Sequence, residues 1–107
     1  MQQVDPVALR QWLDGPAESR PGVLDVREPW EVARCAIEGS VAIPMAEIAL
    51  RVGDLDPVRP WVAVCHHGMR SLQVALFLER QGFEHMHNLR GGIDAWAAQV
   101  DPAMPRY

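Results

Sequence analysis

The 107-residue chain has only two cysteines, at positions 35 and 65. That is too few for the disulfide framework of a small secreted domain, so both thiols are expected to be reduced. No basic segment followed by an apolar stretch opens the chain, and no apolar run approaches the length of a membrane span. A cytoplasmic location is the resulting expectation. Clustered basic charge is missing too. Ten Lys and Arg residues are scattered among fourteen Asp and Glu, for a net charge of −4, whereas binding that releases counterions from a phosphate backbone needs a basic stripe or groove. Composition therefore argues against a nucleic-acid partner, and the four tryptophans fit core and cleft-wall positions better than a stacking platform. Repeats, low-complexity tracts and linkers are also lacking. A composition of 49% hydrophobic and 22% charged residues is that of one globular domain able to bury its own core.

What the chain does contain is Cys65-His66-His67-Gly68-Met69-Arg70-Ser71, between the apolar run Trp61 to Val64 and a helix-like stretch from Leu72 to Leu78. The first run has the continuous apolar character of a parallel strand covered on both faces. Ser71 is a plausible helix start, and Gly82 a suitable left-handed stop. The thiol thus falls at the carboxyl end of a strand and faces a helix N-terminus, where open α/β sheets place their chemistry. An ordinary cysteine titrates near ~8.5, so a nucleophilic thiolate needs help. Loop N–H groups, the positive end of the helix and Arg70 could together supply the roughly 2.7 kcal/mol needed for a shift of about two units. Gly68 suits a tight loop with inward N–H groups.

The spacing predicts alternating strands and helices around a parallel sheet. Gln2 to Val4 is a first strand. Asp5-Pro6 forms an N-cap with proline at the first helical position, and Val7, Leu9, Trp12 and Leu13 give the helix its buried face. A turn-rich stretch from 15 to 22 leads to a strand over 23–26 and a short helix over 29–34. Ala42-Ile43 is a brief strand, 46–50 a helix, 53–60 a loop and 85–88 a last strand. Leu89, Ile93, Trp96 and Val100 mark a closing amphipathic helix. The tail from 101 to 107, with two prolines, cannot extend it.

The chain resembles the rhodanese family of sulfurtransferases. The resemblance runs from Val23-Leu24-Asp25-Val26-Arg27-Glu28-Pro29 through Ile37-Glu38-Gly39-Ser40 and Ala42-Ile43-Pro44 to the cysteine loop, then Asn88-Leu89-Arg90-Gly91-Gly92 and Ala95-Trp96. One departure is Cys35-Ala36, where the family carries Gly-His. The resemblance implies a single domain over 1–107 with core motifs over 23–96, and an α/β fold: a rhodanese-like three-layer sandwich whose central, mainly parallel sheet is covered by helices on both faces. It also implies transfer of a sulfane sulfur from a donor such as thiosulfate to a thiol, cyanide or a carrier protein through a persulfide on Cys65. His66, His67, Gly68, Met69, Arg70 and Ser71 are the expected anion-binding loop. Asp25, Arg27 and Glu28 are expected to brace it, with Arg70 either attracting the donor or locking the loop through Asp25 or Glu28. No cofactor, metal or membrane is implied, and a monomer is expected.

Two alternatives stay open: a non-catalytic interaction module, and a cysteine phosphatase or arsenate reductase. Four residues separate Cys65 from Arg70, where the related phosphatase and reductase loops have five, so this ring of N–H groups is smaller. His85 and His87, on one strand face, raise a metal site as a further alternative, though no recognised ligand spacing accompanies them.

Overall fold

The computed structural model describes residues 1–107. Five strands, β1 (Gln2–Val4), β2 (Gly22–Asp25), β3 (Val41–Ala42), β4 (Trp61–Val64) and β5 (Met86–Leu89), form one sheet in the order β1-β5-β4-β2-β3. Every pairing is parallel. The interior strands β2 and β4 are buried along their whole length, which explains the unbroken apolar sequence of β4 and of β2 as far as Leu24. The edges are held to three residues in β1 and two in β3, leaving little unpaired backbone to recruit another chain.

Because side chains alternate along a strand, the sheet divides the core in two. Leu24, Val26, Trp61, Ala63 and Met86 pack on one side with Val74, Ala75 and Leu78 of α3 (Met69–Arg80) and with Ile48 of a 3-10 segment, Met45–Leu50. Val23, Val62, Val64 and Leu89 pack on the other side with Leu9 of α1 (Pro6–Leu13) and with Ile93 and Trp96 of α4 (Gly92–Gln99). The result is the expected three-layer α/β arrangement. The fourth helix, α2 (Pro29–Arg34), follows the end of β2. No helix is long and apolar enough to cross a membrane.

Local chemistry accounts for most boundaries. Asp5 caps α1 by accepting from Ala8 N at 2.8 Å, with Pro6 in the first turn. Gly82, at φ +97°, lies just beyond the end of α3. Three expectations change. Residues 45–50 form a 3-10 rather than an α-helix. Leu89 ends β5 and does not belong to α4. Most consequentially, α3 begins at Met69, so Ser71 is its third residue and not its cap. Gly68 occupies the cap position instead, at φ +102°.

Candidate active site

Cys65 is the first residue after β4, beside the end of β2, where Val64 pairs with Asp25. It is buried, and its Sγ accepts from Gly68 N at 3.1 Å. That contact requires the chain to turn back within three residues, and the left-handed φ of Gly68 makes the turn. A Cβ on Gly68 would also lie 3.3 Å from Leu89 O. The first-turn N–H groups of α3 have no intrahelical carbonyl to bond, and no acidic residue occupies that turn to offset them. The positive end of the helix dipole thus lies at the loop.

Ser71 Oγ lies 3.3 Å from Cys65 Sγ and also hydrogen-bonds Asn88 Oδ1. The Asn88 amide nitrogen donates to Gly68 O at 3.1 Å and to Gln3 Oε1 at 3.0 Å, which orients Oδ1 toward the serine. The misplaced helix start thus hides a different role: Ser71 carries its hydroxyl into the floor of the loop. From behind, Ile93 N donates to Cys65 O at 2.8 Å and Asp94 N to His66 O at 3.1 Å. This approach of α4 is so close that a Cβ on Gly92 would lie 2.3 Å from His66 O and 2.5 Å from Cys65 O.

Charge is arranged in two linked pairs. Arg27 is completely buried and grips Asp25 through Nε at 2.9 Å and Nη2 at 2.7 Å. It also donates to Glu31 O at 3.2 Å and Cys35 O at 2.7 Å, so Asp25 and Arg27 tie β2 to α2. Arg70 pairs with neither Asp25 nor Glu28. Its two terminal nitrogens reach Glu31 Oε1 at 2.6 Å and Oε2 at 2.9 Å. Glu28 has an exposed side chain that makes no ion pair with Arg70; its backbone N–H donates to Glu31 Oε1 at 3.0 Å. The brace expected of Glu28 is therefore supplied by Glu31, because the first turn of α2 points the i+3 side chain back across the helix start. Hydrogen bonds from the Arg70 guanidinium pull the Glu31 carboxyl down to about 2 against the cost of its burial.

A residue with no role in the sequence reading completes the site. Tyr107, from the tail, accepts from Arg27 Nη1 at 3.0 Å and donates to Glu31 Oε2 at 2.6 Å. Its ring stacks on His66 with centroids 4.0 Å apart and planes 11° apart. Burial pushes its phenol up to about 12.

Comparison with known proteins decides the family: residues 5–99 match the rhodanese-like domain. The chain belongs to that family. It is 33% identical over 102 residues to the "Putative sulfurtransferase YtwF" of Bacillus subtilis, covering 95% of this chain and 96% of that one. It is likewise 33% identical over 102 residues to the "Thiosulfate sulfurtransferase GlpE" of Pseudomonas aeruginosa, covering 95% and 88%. A rhodanese-like domain protein from Staphylococcus aureus superposes with a TM-score of 0.85 at 26% identity, over 100% of this chain and 99% of that one. In longer relatives the chain matches one part, such as 30% of the length of a "Rhodanese-like/PpiC domain-containing protein 12, chloroplastic" from Arabidopsis thaliana.

Within this rhodanese-like domain the loop residues divide by exposure. Met69 and His67 are exposed, Arg70 and His66 half-buried, and Gly68 and Ser71 buried. Burial and the neighbouring His67 hold the His66 imidazole below the usual histidine range. The histidine pair expected on one face of the last strand does not form. His85 precedes β5 and is exposed, while His87 lies in the strand and meets Trp12 edge-on at 5.1 Å.

Proposed function

We propose that this domain is a sulfurtransferase that carries sulfane sulfur as a persulfide on Cys65, with thiosulfate as a competent donor. The observation that carries the reading is the Cys65 sulfur at the floor of a loop whose Gly68 N–H donates to it, set against the start of α3. In the first step the thiolate attacks the outer sulfur of thiosulfate, the S–S bond of the donor breaks, and sulfite leaves with the bonding electrons. In the second, an acceptor thiolate or cyanide attacks the outer sulfur of the persulfide, and Cys65 departs as thiolate. Neither step needs an external oxidant or a cofactor.

Loop N–H groups stabilise the anionic sulfur at each stage. Arg70 is assigned to bracing, since both of its terminal nitrogens are engaged by Glu31. The acceptor is a small thiol or a sulfur-carrier protein, and the site of action is the cytoplasm. Support comes from relatives named as sulfurtransferases at 33% identity over nearly the whole chain. Intact mass after thiosulfate tests the reading. Gain of one sulfur atom, removed again by a thiol, is the expected result; an unchanged mass at saturating thiosulfate would overturn it.

A further inference from the structure

Tyr107 is the only tyrosine in the chain, and three parts of the site meet on it. Its ring covers His66, the residue directly after Cys65, and His66 in turn stacks on His67 with centroids 4.0 Å apart. Trp30 of α2 meets the same ring edge-on at 5.7 Å. Its hydroxyl stands between a buried cation and a buried carboxylate, accepting from Arg27 and donating to Glu31. The segment that carries it is itself anchored: Arg106 makes two bonds of 3.0 Å to Asp94 at the start of α4, and Met104 packs against the second core.

These contacts are directed at the two ends of the loop. The His66 carbonyl is fixed by Asp94 N, while the buried Nε2 of its side chain lacks a hydrogen-bond partner. The imidazole is sandwiched between the rings of Tyr107 and His67. At the other end of the loop, Arg70 is held by Glu31, and Glu31 is held in turn by the phenol. We propose that Tyr107 is a positioning residue of the sulfur-transfer site, fixing the first loop residue through its ring and the Glu31–Arg70 pair through its hydroxyl. The proposal rests on the reading of Cys65 as the nucleophile. The two grips are separable, since phenylalanine keeps the stack and drops the bridge, whereas leucine loses both.

The test combines kinetics with a spectroscopic signature. Tyrosine labelled with carbon-13 in the ring gives a single tyrosine environment in this chain. Carboxamidomethylation of Cys65, confirmed by mass, is expected to move that signal in the native protein and to leave it nearly unmoved in His66→Ala. A residue that only stabilises the fold would not sense the state of the thiol. For sulfur transfer, Tyr107→Phe should lower kcat about 3-fold and Tyr107→Leu about 10-fold, with donor KM within about twofold, as expected when geometry rather than binding is lost. Iodoacetamide reaction at Cys65 should change in the same order, and this arm does not depend on any sulfur donor. If the native protein transfers no sulfur yet alkylation still responds to Tyr107, the positioning role stands and the sulfurtransferase reading falls. A ring signal blind to Cys65 alkylation, with both variants within twofold of native in alkylation, would overturn the role; the phenylalanine variant preserves the packing should leucine fail to fold.

Discussion

Of the two cysteines, only Cys65 has a backbone N–H directed at its sulfur; Cys35 sits at the end of α2 with the buried Arg27 guanidinium 3.9 Å away. Thiosulfate is accordingly expected to add one sulfur atom to the native protein and to Cys35→Ser, and none to Cys65→Ser. Sulfur loading of the Cys65→Ser protein would move the nucleophile elsewhere. The cysteine, Gly68 and Arg70 were all legible in the sequence because their chemistry is carried by a seven-residue window. Glu31 was not, since the first-turn geometry that turns it back toward Arg70 depends on α2 and α3 meeting across 39 residues. Glu28 held the motif position but has an exposed side chain. The difference is measurable: Glu31→Gln should lower sulfur transfer several-fold, because it removes half of a charged pair, while Glu28→Gln should stay near the native rate. Equal effects at both positions would contradict the pairing seen here.

At the scale of elements, β4, α1 and α2 were readable because proline, an Asp cap and unbroken apolar runs act locally. The start of α3 was not, because its cap is a left-handed glycine with no side chain to announce it, and a serine three residues further on imitates the usual signal. The glycine pair before α4 is the complementary case. Gly92 combines φ +65° with backbone oxygens 2.3 and 2.5 Å from where a Cβ would stand, so relief would require α4 to withdraw from the cysteine loop. Gly92→Ala is expected to cost about 3 kcal/mol of stability and to depress sulfur transfer more than that loss alone would, as seen by comparing urea unfolding with activity well below the transition. Gly53→Ala, which meets nothing within 4 Å, serves as the near-neutral control. The length of the loop is a second element-level property. With four residues between Cys65 and Arg70, the loop is expected to fit a single outer sulfur and to leave less room for a tetrahedral oxyanion bonded through its central atom to the cysteine. Ready thiosulfate turnover with negligible aryl phosphate hydrolysis is the expected profile, and inserting one residue between Gly68 and Arg70 should impair sulfur transfer. Cys65-dependent phosphatase activity in the native protein would refute the size argument.

Across the whole molecule, the ionic network joins pieces distant in sequence: β2 through Asp25 and Arg27, α2 through Glu31, α3 through Arg70 and the tail through Tyr107. The tail was expected only to stop α4. Its return over the site left no local pattern, because a single aromatic residue after two prolines looks the same whether or not it packs. Such a network makes stability depend on pH with a definite sign. The folded Glu31 carboxyl sits at about 2, below its value of about 4.5 in the unfolded chain, so unfolding takes up a proton at this residue as acidity increases. Its contribution is fully present above about pH 5 and is lost progressively as pH falls through 4.5 toward 2. Since the carboxylate is buried and its partner Arg70 is partly open to water, the magnitude is about 2 to 3 kcal/mol. Asp94, lowered by Arg106 at an exposed pair, shifts in the same direction. Urea unfolding of the native protein and Glu31→Gln should therefore differ by that amount at pH 7 and converge between pH 4 and pH 2. A stability gap that stays constant over that interval would mean that Glu31 is not the proton-linked joint between the tail and the two helices.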